Sequence, residues 1–443
     1  MRWQQVAGSP RAQTRSSWVQ RAVTPHLLAA IEVQVDAVSF LVVVITAAVA
    51  AGIVAYVEPH LRLPVVVVEL LLGILIGPQL LGWADVDGFI KFFASLGLGL
   101  LFFFAGYEID FERIRGHPLK LAAIGWGLSL LLAYGIGGLL AWAGVVVSLL
   151  YTGSAMATTA IGTLIPILTD SGEMRTRFGT YLLGAGAIGE FGPILLITLV
   201  LSSSQPLKEA VILCFFVLLA VAAALIAVRS LPAGWSVLER SLDSSSQLPV
   251  RLAVVLVFAL VSLASSLGLV LLLGGFAAGI IVRLALRGRE VHVFESKLTG
   301  LGYGFFIPFF FITSGMAFNL DALTSSASGL LKLPLFVALF LVVRGIPALV
   351  LYRRDFGGRD RAALGFYSAT QLPLVVAITT LAEDSGEMRS STAAALVGAA
   401  IISTLVFPLV AMRLRGDRPS REIEPAVERE LEAEGYGPAP ATT

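Results

Sequence analysis

Between Ala37 and Met412 the chain is a nearly unbroken series of apolar runs, each about long enough to cross a lipid bilayer. A hydrocarbon core about 30 Å thick takes roughly 20 apolar residues per helix. Inside it, only helices or closed barrels satisfy their own backbone polar groups. The expected fold class is therefore an all-α polytopic membrane protein. The runs predict thirteen spans, at about 37–57, 64–81, 89–107, 119–144, 146–167, 176–203, 208–229, 249–267, 268–286, 298–318, 330–352, 360–382 and 389–412. The stretch 249–286 is divided at Ser265-Ser266-Leu267-Gly268, because one helix of that length overruns the membrane. Composition agrees, with 57% of the 443 residues hydrophobic and 14% charged, where an average soluble protein is about 25% charged. A net charge of +1 argues against a nucleic-acid partner. Cys214 is the single cysteine and excludes an internal disulfide. The four histidines, His26, His60, His117 and His292, fall in tails or loops, so no His-based metal site or other cofactor is expected.

The basic residues order these spans in space. With the C-terminus inside, the inner loops carry 17 Lys and Arg, among them Arg62, Arg113, Arg115, Arg175, Arg177, Arg283 and Arg353, against 4 in the outer loops, Lys91, Lys208, Lys332 and Arg389. That alternation fits the positive-inside rule, and one missed span would scramble it. The N-terminal tail, 1–36, carries Arg2, Arg11, Arg15 and Arg21 and lacks a signal-peptide pattern. The membrane domain covers 37–412, and a polar cytoplasmic tail, 413–443, carries seven carboxylates between Asp417 and Glu434.

An internal repeat divides the membrane domain. Asp170-Ser-Gly-Glu-Met-Arg175 recurs as Asp384-Ser-Gly-Glu-Met-Arg389, an offset of 214 residues. Ser154-Ala155 matches Ser368-Ala369 and Gly184 matches Gly398 at the same offset. Gly73-Ile-Leu-Ile-Gly77 is similar to Gly275-Phe-Ala-Ala-Gly279, and Phe103-Phe-Ala-Gly106 to Ile312-Thr-Ser-Gly315. Repeat one covers about 64–203 and repeat two about 268–412, some five spans each. The two hexapeptide copies lie seven spans apart, an odd number, so the repeats face opposite ways. Inverted repeats of this kind build secondary transporters, whose substrate site lies near the midplane where the repeats meet.

Ionisable side chains deep in a span cost about 2.5–3.5 kcal/mol on insertion scales and mark function by default. Three stand there: Glu69, Glu190 and Arg344. Glu190 is near the centre of its span, and its counterpart at the repeat offset is the neutral Thr404. Glu69 lies close to the start of its span and reads as interfacial or as a packing partner. Arg344, mid-span, needs an acidic or carbonyl partner, and Glu190 is the obvious one. Proline removes a backbone donor, so Pro193 frees the carbonyl of Gly189, Pro166 that of Gly162 and Pro373 that of Ala369. The last two prolines lie in equivalent spans beside Thr158-Thr159 and Thr370-Gln371. Paired broken helices lined by hydroxyls and free carbonyls coordinate cations. Simple kinking, with the threonines bonded back to their own helices, is the alternative. Gly184-Ala-Gly186-Ala-Ile-Gly189 spells a dinucleotide fingerprint, yet it sits inside an apolar span rather than after a strand, and reads as close helix packing.

These residues resemble the monovalent cation:proton antiporters of the second superfamily, which includes sodium/proton antiporters and potassium-efflux transporters. The most specific pieces are Glu69-Leu-Leu-Leu-Gly-Ile-Leu-Ile-Gly-Pro78, Leu100-Leu-Phe-Phe-Phe-Ala-Gly-Tyr-Glu-Ile-Asp110 and the two broken-helix segments. The resemblance implies a homodimer whose dimerisation domain holds still while a core domain moves in elevator fashion. It places the family's ion-binding acid on Glu190, its broken-helix polar positions on Thr158, Thr159 and Gln371, and its basic core residue on Arg344. Family members usually carry Asp at the ion site, preceded by Asp, Asn or Gln, where this chain has Gly189-Glu190. The transported ion, Na⁺ or K⁺, is left open. The C-terminal nucleotide-binding domain of many potassium-efflux relatives is not expected here.

The expected activity is exchange of protons for a monovalent cation held at Glu190, electroneutral because one central acid holds either a proton or a cation. The expected setting is a bacterial inner membrane. A symporter of organic anions, with Arg344 holding the substrate's charge, is one alternative, and a gated cation channel another. Enzymatic activity is not expected, since no Ser-His, paired-Asp or HExxH constellation lies within the spans.

Overall fold

Backbone amides that meet no water must bond to one another, and the apolar runs do so as helices. The computed structural model describes residues 36–57, 64–109, 111–201, 206–242, 244–286, 291–324 and 327–416. The N-terminal tail, the acidic tail from Asp417 and Arg62 of the first loop lie outside the described residues. The first elements are α1 (Ala37–Val57), α2 (Val65–Ile76), α3 (Gly88–Tyr107), α4 (His117–Trp142), α5 (Leu149–Met156), α6 (Ile161–Asp170) and α7 (Arg177–Leu196). After them come α8 (Pro206–Leu242), α9 (Leu248–Ser266), α10 (Leu271–Leu286), α11 (His292–Leu301) and α12 (Ile307–Met316). The last are α13 (Ala327–Leu351), α14 (Gly358–Ser368), α15 (Pro373–Asp384) and α16 (Ser390–Arg415).

Among the described residues, nine helices are long and apolar enough to cross a membrane, and the bent pair α14–α15, at 41°, makes a tenth. Three further apolar segments, Val65–Ile76, Leu149–Ile165 and Leu271–Leu286, are shorter. The span predicted at 208–229 belongs to a helix of 37 residues, about 55 Å at 1.5 Å per residue, which overruns the bilayer. Helix α16 continues past Met412 to Arg415, whose side chain is buried. Lys332, expected in a loop, lies within α13, buried, with its Nζ donating to Thr392 Oγ1 at 2.9 Å.

Helices α7 and α16 form the centre: 72% and 67% of their apolar windows are buried, against 11% for α8 and 22% for α1 and α4. The outer helices leave Leu41, Ile45, Leu131, Leu139, Leu218 and Ile226 exposed. A belt of large apolar side chains on that scale belongs against lipid rather than water.

Glycines set the closest helix crossings. A Cβ on Gly73 would strike the backbone of Ile312 on α12, and one on Gly279 would strike the backbone of Phe103 and Tyr107 on α3. Helix α2 therefore lies directly on α12, and α10 directly on α3. Where the hexapeptide recurs, the turn recurs with it, for Gly172 has φ +72° and Gly386 φ +73°. Both take the left-handed region that glycine alone enters at little cost.

Candidate ion-binding site

The two broken segments meet at their breaks. The first break, Ala157–Ala160 between α5 and α6, holds the Thr158-Thr159 pair, and the second, Ala369–Leu372, separates α14 from α15. At such a break the helical donors need other partners, and each segment finds them on its neighbours. Thr159 N–H donates to the Gly189 carbonyl at 3.0 Å, and Ala160 N–H to the Thr370 carbonyl at 2.8 Å. Gln371 Nε2 donates to the Met156 carbonyl at 2.9 Å. The carbonyl that Pro193 leaves without a helical donor is thus the one that orders the first break.

Glu190 is buried at 2% exposure, one turn before the Ile194 position of α7. The backbone N–H groups of Ile161 and Gly162, the first residues of α6, face its carboxylate. The start of a helix offers unpaired donors and a positive dipole end, so the half-helix presents a ready cradle for an anion. The second carboxylate oxygen, Oε2, is buried without a hydrogen-bond partner. Gln371 Oε1 is likewise buried and unpartnered. Both are oxygens of the type that hard monovalent cations take.

Arg344 pairs with different groups from the one expected. Its Nε and Nη2 donate to Thr159 Oγ1 at 3.0 and 2.7 Å. Further bonds run to the Ser368 carbonyl at 3.3 Å, Ser129 Oγ at 3.2 Å and the Ala185 carbonyl at 3.3 Å. Thr159 Oγ1 passes its own proton to the Ser368 carbonyl at 2.6 Å. The fork of the guanidinium reaches four acceptors on three helices and a break, so it fastens the breaks together rather than neutralising Glu190. Gly189 makes room for this: a Cβ there would stand 2.6 Å from Arg344 Nη2 and 2.7 Å from Thr159 Oγ1.

The remaining candidates divide. Thr404, the counterpart of Glu190, donates to the Gln371 carbonyl at 3.1 Å, and Ser403 Oγ accepts the Gln371 N–H at 3.1 Å. The two equivalent positions thus each serve one break. Thr158 Oγ1 donates back to the Ala155 carbonyl at 3.1 Å, the bond a threonine also makes in a simple kink. Pro166 lies within α6, so the break is not at that proline but at Ala157–Ala160, where contacts across the molecule replace helical bonds. Pro193 lies inside α7, which widens into a looser turn at Ile197–Leu201. Pro373 opens α15, where its missing donor costs nothing. Glu69 is buried on α2 with Oε2 unpartnered, on the helix that packs against α1 and α12.

One acid near the site escapes a reading by span. Glu108 caps the end of α3, and its Oε2 is buried without a partner. The carboxylates of Glu190 and Glu295 act on it electrostatically. It ends an apolar run next to Asp110, which reads as an ordinary loop-end charge; its position in the segment Leu100–Asp110 was the only signal.

Comparison with known proteins identifies the family. The family described as "Sodium/hydrogen exchanger, transmembrane" matches residues 31–413. The Bacillus subtilis protein YjbQ is 26% identical over 84% of this chain, which spans 63% of its length. The Na⁺/H⁺-K⁺ antiporter GerN of Bacillus cereus is 26% identical, over 78% of this chain and 88% of the relative. A Na⁺/H⁺ antiporter of Enterococcus hirae is 25% identical, over 82% of this chain and 94% of the relative. The solved sodium proton antiporter MjNhaP1 of Methanocaldococcus jannaschii shares the fold at a TM-score of 0.60 and 15% identity, covering 87% of this chain and 98% of that one. These relatives are transporters, not enzymes. By its match over most of its length, this chain belongs to the sodium/hydrogen exchanger family.

Proposed function

We propose that the protein exchanges protons for Na⁺ or K⁺ across a bacterial inner membrane. The observation that carries this reading is the Glu190 carboxylate, buried in front of the backbone N–H groups that start α6, with Oε2 unpartnered. A carboxylate in that position holds either a proton or a cation, and competition between the two couples their fluxes. Gln371 and the carbonyls of the two breaks supply neutral oxygens to the cation. Arg344 keeps a fixed positive charge nearby and orders the breaks. One proton leaves for each cation that enters, so the exchange is electroneutral.

The architecture proposed with it has thirteen crossings: the nine long helices, the bent pair α14–α15 and the three shorter segments. The C-terminus lies in the cytoplasm, on the side of the basic loops. The crosswise contacts support an inverted repeat. Gly73 belongs to repeat one and meets α12 of repeat two, while Gly279 of repeat two meets α3 of repeat one. Because the similar segments are α2 with α10 and α3 with α12, each contact is the other with its repeats exchanged. The breaks, α7 and α16 form a core that moves as a body, and a second copy of the chain steadies the remaining helices in a homodimer.

An organic-anion symporter would need Arg344 free to receive substrate, and all three of its nitrogens are already engaged. The test is dye-monitored proton flux in proteoliposomes on addition of Na⁺, K⁺ or Li⁺. Wild-type protein is expected to move protons on adding its cation, and Glu190→Gln to move none. Retained exchange in Glu190→Gln overturns the reading.

A further inference from the structure

We propose that Glu108 is a second proton-exchanging carboxylate, standing between Glu190 and the side of the molecule where α3 ends. The inference rests on the proton-for-cation exchange proposed above and adds a residue to its pathway. Glu108 lines a small cavity together with Ile161, Ile165, Leu183 and Ala187. Ile161 is one of the two residues whose N–H faces Glu190. Leu183 and Ala187 precede Glu190 on α7 by seven and three residues, which places all three on one helix face. The cavity therefore lies against the face of α7 that carries Glu190, with Glu108 in its wall.

An acid at a helix end with only a structural role is hydrated or paired. Glu108 is neither at Oε2, which is buried and unpartnered against walls of isoleucine. The groups around it define its electrostatics. Glu190 faces it from α7 and Glu295 from α11. Tyr303, in the turn Gly302–Phe306, interacts with both Glu108 and Glu190. From the same region, the Tyr107 hydroxyl donates to Glu295 Oε1 at 2.6 Å, and the Arg283 guanidinium of α10 lies 5.7 Å from the Tyr107 ring. Glu112 and Arg113 follow on the short helix Phe111–Ile114, with Arg113 Nε donating to Thr180 Oγ1 at 3.1 Å. Glu295 and Arg283 are thus tied to Tyr107 and Arg113 to α7, while Glu108 keeps an oxygen open toward the cavity.

The step balances simply. When a cation arrives, the O–H bond on Glu190 breaks and one forms on the Glu108 carboxylate, directly or through water in the cavity. Glu190 then carries the cation, and Glu108 releases its proton to solvent. The reverse transfer reloads Glu190 when the cation departs.

The full chain in proteoliposomes tests this by cation-driven proton flux across a series of pH values. Glu108→Gln is expected to keep exchange but run about tenfold slower, with its pH profile displaced, and Glu108→Asp to restore most of the rate. A rate and profile in Glu108→Gln that superimpose on wild type overturn the inference. Equal loss in Glu108→Gln and Glu108→Asp also overturns it, since packing rather than proton exchange then explains the residue. An inactive wild-type protein, or an active Glu190→Gln, overturns the exchange reading and this inference with it. Active wild type, inactive Glu190→Gln and unaltered Glu108→Gln overturn the inference alone.

Discussion

Gly189 stands where the resemblance to the antiporters implies a polar side chain, and in this chain that volume is filled. Arg344 Nη2 and Thr159 Oγ1 stand 2.6 and 2.7 Å from where a Cβ would be, and Thr159 Cβ is 2.9 Å away. The glycine is therefore required by the arginine, not merely tolerated beside it. Gly189→Ala has to displace the guanidinium or the break, with an overpacking cost of about 1–3 kcal/mol. It is expected to lower cation-driven proton flux at least about tenfold while the protein still inserts and purifies; a flux equal to wild type would show that the guanidinium moves aside freely. At this scale the sequence was informative about which residues matter and less so about their partners. Glu190, Arg344, Gln371 and Thr159 stand out in apolar surroundings because a polar group there needs a reason. That Arg344 bonds Thr159 rather than Glu190 depends on where two distant breaks cross, which no spacing along the chain encodes. Glu108 was hidden for the opposite reason: a charge at the end of a span is expected on any membrane helix, and only its inward turn sets it apart.

The broken helices depend on one another. Neither break has a full set of local partners, and each carries donors that the other accepts, Ala160 N–H to Thr370 and Gln371 Nε2 to Met156. Proline was a fair guide to which spans are interrupted and a poor guide to where. Pro373 does open a half-helix, but Pro166 is carried inside one, because the chain opens where neighbouring carbonyls replace the helical bonds. Thr159→Val tests this dependence. It removes the acceptor of two Arg344 bonds and the donor to Ser368, leaving buried groups unpaired at about 1–3 kcal/mol each. Its flux is expected to fall with that of Arg344→Ala, and the double variant to be little worse than either single one; additive losses would mean the two side chains act separately.

A second element-scale device holds the end of α16. Arg415 donates to Glu173 Oε1 at 2.6 Å and Oε2 at 3.2 Å, lies 3.1 Å from Asp360 and covers Phe178 at 4.2 Å from the ring centroid. Both partners of the main pair are 1% exposed. Removing one side of a buried pair costs about 3–5 kcal/mol, so Glu173→Ala is expected to lower the melting temperature in detergent sharply, and an unchanged melting curve would place the pair in contact with water. Glu173 belongs to the repeated hexapeptide, yet its counterpart Glu387 is exposed. Identical local sequence fixes the turn, but only the tertiary surroundings decide whether its acid is buried.

At the scale of the whole molecule the repeat makes the strongest demand. The six residues from Asp170 and the six from Asp384 are the same, their glycines take the same left-handed conformation, and the helices that follow them, α7 and α16, are the two most buried spans. If the repeats are inverted, these twin turns face opposite sides of the membrane, the first with the basic loops and the second with Arg389 and Gly144, which are joined by a hydrogen bond of 3.3 Å. Apolar periodicity alone leaves this undetermined, because a span reads the same in either direction; the parity of the spans between the copies decides it, and parity fails if the short segment α10, which lies between them, does not cross. Ser171 and Ser385 occupy the same place in the two turns and are at least partly accessible. With Cys214→Ser as background, Ser171→Cys and Ser385→Cys are each expected to react with a membrane-impermeant maleimide from one side only, and from opposite sides. Lysing the vesicles is expected to open both sites to the reagent, which confirms that each thiol is reactive. Labelling of both from the same side would require an even number of crossings between the copies, and it would remove the inverted repeat together with the alternating-access scheme built on it.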